Sequence, residues 1–273
     1  MRGRRWGVAE AFTTEKATQR TAEPSKGTRP EGATSEADAS RKVREMFTQI
    51  APRYDLLNHL LSLQLDRLWR ARTAQKLRAI LVRPDAVVLD LCCGTGDLAF
   101  AMARKAKARV VGVDFAHPML VRASAKSVDE VGGAVPFLES DALQLPFANG
   151  SFDLVTTAFG FRNLANYEAG LGEMQRVLKQ GGTIGILEFT EPPEGFFGDF
   201  YRWYFRKILP KVGGAISGNA AAYKYLPSSV GRFFRPVELC QLMCGVGLKN
   251  VEAAVWTGGA VALHTGVKQS PSV

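Results

Sequence analysis

Three carboxylates bracket one glycine turn. Asp90 lies in the apolar run Val87-Val88-Leu89-Asp90-Leu91, Asp97 follows Gly94-Thr95-Gly96, and Asp114 closes Val110-Val111-Gly112-Val113. A buried strand, a Gly-x-Gly turn and a helix open a nucleotide-binding βαβ unit. Gly94 would let the chain turn tightly, and Gly96, lacking a Cβ, would let backbone approach a ligand. The spacing Gly94-x-Gly96-x-x-Ala99 also satisfies a dinucleotide fingerprint, so the next residue discriminates. Asp97 falls at the helix N-terminus, where a dinucleotide fold seats pyrophosphate, and a carboxylate there repels phosphate. It tolerates S-adenosylmethionine (SAM), which has no phosphate and carries a sulfonium and an ammonium. Asp90 adds a second acid near that cation. Asp114 stands at the distance of about 20 residues at which an acid takes ribose hydroxyls; both cofactor classes share this feature, so it supports the fold and not the choice. The plain alternative for Asp97 is a helix cap, which is compatible with SAM.

These residues need a parallel sheet behind them. Val87–Leu91 is too short for a helix and rich in β-branched residues, as a buried parallel strand is. Arg109–Asp114 is the next strand, followed by a helix with Pro118 in its first turn. Val135–Glu139 is a third strand, after which Asp141 and Ala142 lie where adenine would sit; Asp141 either accepts from the adenine amino group or serves as a cap or turn residue. Phe152–Ala158 is a fourth strand, with Phe159-Gly160-Phe161-Arg162-Asn163 leaving its carboxyl end. A helix over 167–178, a Gly181-Gly182 turn and a strand over Thr183–Phe189 follow. The chain closes with a helix from Pro236 to Met243 and an antiparallel pair, Val251–Trp256 and Val261–His264. This alternation predicts an α/β fold of the class I SAM-dependent methyltransferase (Rossmann-like) kind, seven strands with helices on both faces. Ligands then lie beyond the strands' carboxyl ends, which gathers Gly94, Asp114, Asp141 and Arg162 around one cleft.

Upstream, residues 1–40 are polar with little apolar periodicity and read as a disordered tail. Val43, Met46, Phe47 and Ile50 recur at helical spacing, Pro52 breaks that helix, and two more carry Tyr54, Leu57, Leu60 and Leu61, then Asp66, Trp69 and Ala74 to Leu81. They predict a helical lid over 41–83 within a domain over 41–268. Residues 191–235 form an insertion in which Phe196, Phe197, Phe200, Trp203, Tyr204, Phe205, Ile208 and Leu209 interleave with Arg202, Arg206, Lys207 and Lys211.

Composition excludes several classes. The 273 residues carry a formal charge of +9, and because 1–40 holds seven basic and six acidic residues, nearly all of the excess lies on the rest. A basic body suits an anionic membrane surface, a nucleic acid or an acidic partner alike. Cys92, Cys93, Cys240 and Cys244 include no Cys-x-x-Cys and match neither a zinc cage nor a secreted disulfide framework, so no metal is expected. No apolar stretch reaches the roughly 18–20 residues of a membrane span and no signal-peptide core follows the N-terminal arginines. The expected setting is cytoplasmic.

Two stretches resemble the signatures of the ubiquinone/menaquinone biosynthesis C-methyltransferase family: Tyr54-Asp55-Leu56-Leu57-Asn58 with Leu61-Ser62 and Trp69, and Arg176-Val177-Leu178-Lys179-Gln180-Gly181-Gly182 running to Leu187-Glu188-Phe189-Thr190. Phe159–Asn163 and the ending Gly259–His264 are similar too, so the resemblance covers about Lys42 to Lys268. The family usually has Met at Leu57, His at Asp66 and Pro at Gln180. Asp66 is the departure with chemical weight, and a helix N-cap before Arg67-Leu68-Trp69 is its expected role. The resemblance implies SAM contacts at Thr95, Asp114, Asp141 and Ala142, with only a backbone contact at Ala158, where some members have serine. It also implies methylation of a ring carbon of a polyprenylated quinol: demethylmenaquinol first, a ubiquinone-pathway benzoquinol or both as the alternative.

For that chemistry the quinol must lose a hydroxyl proton near the transition state. Arg162 is expected to stabilise the phenolate with Asn163 orienting it, and Tyr54, Asp55, Asn58 and His59 to supply substrate contacts or a proton relay; Tyr54 as a core aromatic, Asn58 as a cap and His59 as an exposed helix residue are the plain alternatives. Glu188 would face the cleft or pair with a lid arginine. The interleaved aromatic and basic insertion suits a membrane interface, where a polyprenyl chain resides, and implies an enzyme peripheral to the inner face of the membrane; the alternative is an amphipathic helix covering the sheet. A homodimer is left open. A nucleic-acid methyltransferase is disfavoured because Ala158-Phe159-Gly160-Phe161 replaces the Pro-Pro-aromatic segment that receives a flipped base, and a non-catalytic SAM-fold scaffold because the glycine turn and Asp114 are kept.

Overall fold

A computed structural model describes residues 4–7, 26–208 and 220–269. Its strands are β1 (Arg4–Gly7), β2 (Val87–Leu91), β3 (Arg109–Asp114), β4 (Phe137–Glu139), β5 (Phe152–Ala158), β6 (Leu178–Phe189), β7 (Leu248–Trp256) and β8 (Val261–Lys268). They form one sheet in the order β1-β7-β8-β6-β5-β2-β3-β4. β2 to β6 run parallel, as buried βα units require, and β8 enters antiparallel between β6 and β7. The chain builds outward from β2 through β3 to β4, then returns to the other side of β2 with β5. That reversal opens a crevice above the carboxyl ends of β2 and β5, where open sheets of this kind take their ligands.

Helices cover both faces: α1 (Glu36–Ile50), α2 (Tyr54–Leu61), α3 (Leu65–Lys76), α4 (Arg78–Leu81), α5 (Asp97–Ala103), α6 (His117–Val131), α7 (Tyr167–Val177), α8 (Phe196–Trp203), α9 (Ala220–Arg232) and α10 (Pro236–Gly245). Strand alternation decides the packing. Leu89, Leu91, Val155 and Ile184 meet α7 and α10 through Leu171, Met174, Leu239 and Met243. Val88, Val110 and Leu154 face the other way, onto Ala74, Leu77, Leu98, Phe100 and Met102. Each such large side chain, once buried, contributes roughly 1.5–3 kcal/mol.

The seven expected strands are present, with differences at their margins. The described body starts at Lys26 rather than near residue 41. Thr28 N–H donates to Leu164 O (2.7 Å) and Tyr167 N–H to Lys26 O (2.8 Å), and Gly27 lies so close to Ala165 that any Cβ would collide with its carbonyl. Helix α1 begins at Glu36 because Ser35 caps it, accepting from Asp38 N–H at 3.1 Å. An eighth strand, β1, falls inside the expected tail and pairs antiparallel with β7; the other residues before Lys26 lie outside the described residues, as do Leu209, Lys211 and the side chains of Phe196, Phe197, Phe205, Arg206, Leu57, Leu60 and Leu61. Strand β6 starts at Leu178, earlier than expected, and the Gly181-Gly182 turn is a bulge within its pairing to β5.

The lid comprises α1, a 3-10 turn at Ala51–Arg53 set by Pro52, α2 and α3. Ile50 and Ala51 pack against Ala116 and Met119 of the sheet domain and Val230 of α9. That apolar seam carries the lid across the crevice.

Candidate functional site

Three cavities meet above the β2–β5 crevice. The first is lined by Gly94, Asp114, Asp141, Ala142 and Asn163. Asp114 is fixed from both sides, Oδ2 accepting from Gly94 N–H (2.8 Å) and Oδ1 from Ala116 N–H (2.9 Å). Burial nonetheless raises its pKa. Asp141 accepts from Leu143 N–H at 2.9 Å, an Asx turn that holds its carboxylate on the cavity wall. Both glycines take the left-handed backbone of the turn, Gly94 as expected, but the close approach expected at Gly96 falls to Gly94. A Cβ on Gly96 would lie 2.6 Å from the ring of Phe100 in α5 and 3.1 Å from that of Phe137 in β4, so this glycine makes room for the two rings. Gly94, at φ +55°, is the one whose open side faces the cavity and Tyr54.

Around the turn the second set of carboxylates is not bare. Asp97, in the first turn of α5 after Gly96 as N-cap, pairs with Lys126 (2.7 Å) and lies 3.6 Å from Arg70 of α3. Burial would raise Asp97; Arg70 and Lys126 outweigh it and hold its pKa below the ordinary value. Lys126 also bonds Asp55 of the lid (3.0 Å), and Asp55 accepts from the Thr95 hydroxyl. Asp90, Thr95, Asp97, Arg70 and Tyr54 line a small polar cavity on this side of the turn. Asp90 is 1% exposed; Oδ1 accepts from Thr156 (2.9 Å), and Oδ2 has no hydrogen-bond partner among the described residues. Burial pushes Asp90 up to about 7.

The largest cavity, about 290 Å³, opens under the lid and is mostly apolar. Trp69, Phe159 and Phe189 line it as a cluster of tilted and edge-on rings, with ring centres 4.5–6.0 Å apart. Two guanidiniums lie over this cluster, Arg70 above Phe159 (5.5 Å) and Arg162 above Phe189 (5.4 Å). Glu188, fully buried, grips Arg162 twice: Oε2 takes Nη1 (2.9 Å) and Oε1 takes its backbone N–H (3.0 Å). Glu188 thus pairs with the arginine after β5 and not with one from the lid. Asn163 faces the first cavity, not the Trp69–Phe159–Phe189 cluster that Arg162 meets; its amide donates to Phe159 O and its oxygen accepts from Tyr225 (3.0 Å). Tyr54 lines all three cavities and hydrogen-bonds Asn58, one turn on in α2. Burial raises the Tyr54 hydroxyl, so it stays protonated as a donor.

Asp66 departs from its expected role. Gln64, not Asp66, is the N-cap of α3 and makes no side-chain cap bond. Asp66 is buried and accepts from Ser62 (2.6 Å), His59 Nδ1 (2.8 Å) and Arg70. His59 is correspondingly drawn in rather than exposed. Donor atoms of His59, Asp66 and Asp97 converge within 4.8 Å, but Arg70 places a cation between the two carboxylates. Sequence reasoning passed over Arg70 and Lys126 altogether; their only signal was their number among ordinary helical basic residues.

The set fits SAM: an acidic pair and a hydroxyl in the polar cavity, an orphaned buried carboxylate oxygen on Asp90, and Asp114 and Asp141 on the far side of the turn. Among the described residues no helix is long and apolar enough to cross a membrane.

The profile of the ubiE/COQ5 methyltransferase family matches residues 35–268. A demethylmenaquinone methyltransferase of Thermus thermophilus is 50% identical over 81% of this chain and 99% of its own length; one of Deinococcus radiodurans is 45% identical over 85% and 95%. A ubiquinone/menaquinone biosynthesis C-methyltransferase UbiE of Geobacter sp. (strain M21) is 42% identical over 85% and 98%. In fold, the chain is similar to a SAM-dependent methyltransferase of Thermotoga maritima (TM-score 0.58, 20% identity, 82% of this chain and 99% of that one).

Proposed function

The chain belongs to the ubiE/COQ5 methyltransferase family and uses SAM, and from that premise we propose that it methylates a ring carbon of demethylmenaquinol to give menaquinol. One observation carries the substrate reading: an apolar, aromatic-walled cavity shares Tyr54, Phe159 and Arg70 with the cavities at the glycine turn. A prenylated ring can enter along the apolar cavity while its reacting carbon meets the cavities at the turn.

SAM, when bound, supplies an electrophilic methyl group on a good leaving group. The protein's part is alignment, which can lower a barrier by roughly 7–11 kcal/mol, and activation of the ring. The guanidinium of Arg162, immobilised by Glu188 and Phe159 O, favours the phenolate form of a quinol hydroxyl beside it. Tyr54, neutral and held by Asn58, serves as a donor to a quinol oxygen and not as the base. Asn163, through Tyr225, braces the loop that carries Arg162. Thr95, Asp114, Asp141 and Ala142 are assigned to SAM, with Asp90 toward its ammonium.

The Asp90 assignment has a pH signature. Without ligand, the folded protein keeps a proton on Asp90 between the unfolded value, about 4, and about 7. Its contribution to stability therefore falls as pH rises through that window and levels off above it. An ammonium beside Asp90 favours the carboxylate, so S-adenosylhomocysteine should bind up to about tenfold tighter per pH unit on approaching pH 7, then no tighter. Calorimetry of Asp90→Asn should show that slope gone; an unchanged slope would remove Asp90 from the ammonium site.

Membrane contact is assigned to the mouth of the large cavity. Leu63 (71% exposed) and Phe200 (56%) line it, and Trp203 packs on Phe200 with ring centres 5.8 Å apart. Arg202 is paired with Asp199 at 2.5 Å, so the aromatic residues lead here and exposed Lys207 supplies charge. Trp203→Ser should reduce flotation with anionic, quinone-loaded liposomes several-fold; equal flotation would place the contact elsewhere.

The substrate test is methyl transfer from labelled SAM to short-chain demethylmenaquinol under reducing conditions, with the benzoquinol analogue in parallel. Product from the naphthoquinol alone fits the menaquinone reaction, and product from both a dual enzyme. Product from neither, with SAM bound, overturns the substrate reading.

A further inference from the structure

We propose that Arg70, carried by the lid, binds the carboxylate of the amino-acid end of SAM, so that α3 is part of the cofactor site. The inference rests on the SAM reading and adds a residue to it.

The amino-acid end of SAM is a zwitterion. It needs an anion for its ammonium and a cation for its carboxylate, a few ångströms apart. The small polar cavity offers both. Asp90 and Asp97 are its carboxylates, and Arg70 is the one cation in its lining among the described residues.

Arg70 is built to hold a fixed position. It is 7% exposed, bonded to Asp66 and stacked over Phe159. Asp66 is itself held by Ser62 and His59. The contact from Arg70 to Asp97 is different in kind: 3.6 Å, longer than a hydrogen bond. That loose pair can be exchanged without stranding a charge. The incoming ammonium takes Asp97 and Asp90, the incoming carboxylate takes the guanidinium, and the cavity stays balanced. A pyrophosphate would bring negative charge beside Asp90 and Asp97 and no cation to pair with them, which is why this turn disfavours dinucleotides. Lys126 lies outside the lining of this cavity and instead ties Asp97 to Asp55 of the lid.

The test compares two ligands by calorimetry: S-adenosylhomocysteine, and its decarboxylated analogue 5′-deoxy-5′-(3-aminopropylthio)adenosine, which keeps the ammonium. In the unaltered protein, loss of the carboxylate should weaken binding about ten- to a hundredfold, the range for a hydrogen bond to a charged group. In Arg70→Gln the same change of ligand should cost almost nothing, and Arg70→Lys, keeping the charge without the fork, should fall between. A purely structural brace predicts that Arg70→Gln weakens both ligands equally, which would overturn the proposal. So would equal binding of the two ligands to the unaltered protein, an arm that needs no variant to fold. Failure of the unaltered protein to bind S-adenosylhomocysteine at all would overturn the SAM reading together with this one.

Discussion

Arg162→Gln is expected to lower kcat by about 10²–10³-fold, the range for removing one preorganised stabiliser of developing negative charge, while S-adenosylhomocysteine still binds. Arg162 lines the substrate cavity and not the two cavities at the glycine turn. Its cation is held without access to bulk water, which strengthens its effect on a nearby phenolate. Glutamine leaves Glu188 two backbone donors, Arg162 N–H (3.0 Å) and Phe189 N–H (3.1 Å), so the loop keeps its anchor. The contrasting variant is Glu188→Ala. It strands a buried guanidinium and should cost about 3–5 kcal/mol of stability, as breaking one side of a buried ion pair does, read as a fall in Tm. Steady-state kinetics and thermal unfolding of the two variants separate chemistry from support. If Arg162→Gln loses stability and cofactor binding but little kcat, the arginine is a brace and the quinolate is stabilised by something else.

Gly160→Ala is the second large effect, and it reaches the site through the backbone. A Cβ on Gly160 would lie 2.4 Å from the Cβ of Cys92 and 3.0 Å from Oγ1 of Thr157. These atoms join the ends of β2 and β5, the crevice over which the cavities are built. Overpacking of this kind costs typically 1–3 kcal/mol, and here neither neighbour is a flexible chain end. Cys92 sits at φ +53°, a conformation glycine adopts freely. Cys92→Gly added to Gly160→Ala should therefore restore much of the lost Tm and of the S-adenosylhomocysteine affinity, by removing both the colliding atom and the backbone strain. Simple addition of the two single effects in a double-mutant cycle would show that the contact does not couple them.

Much of this arrangement was legible in the sequence. Strand and helix periods placed the sheet, because the central strands are apolar runs bounded by glycine turns, and strand-end position put Asp114 and Asp141 on one cavity, with Arg162 lining the neighbouring one. What escaped were contacts between distant segments. Nothing local distinguishes Arg70 from Arg67 or Arg72, since its meaning comes from Asp97, 27 positions along the chain and across the crevice. Asp66 looked like an N-cap because a carboxylate at a helix start usually is one; three donors from Ser62, His59 and Arg70 outcompeted that role. The close approach expected at Gly96 falls to Gly94 because spacing reports that a Cβ is forbidden without reporting what forbids it. The start at Ser35 did carry a readable signal, a serine three residues before Asp38, hidden within a polar stretch.

The position of β8 bears on how the protein is made. The strand that lies between β6 and β7 is the last of the described strands to be synthesised. Until Val261–Lys268 emerges, β6 presents an open edge of unpaired amides and carbonyls, and β7, with β1 beyond it, has nothing to dock on. The parallel core can assemble before β8 is synthesised, but the sheet closes only once β8 has emerged. In that interval the nascent chain is a template for edge-to-edge aggregation, and a chain truncated before Val261 remains one.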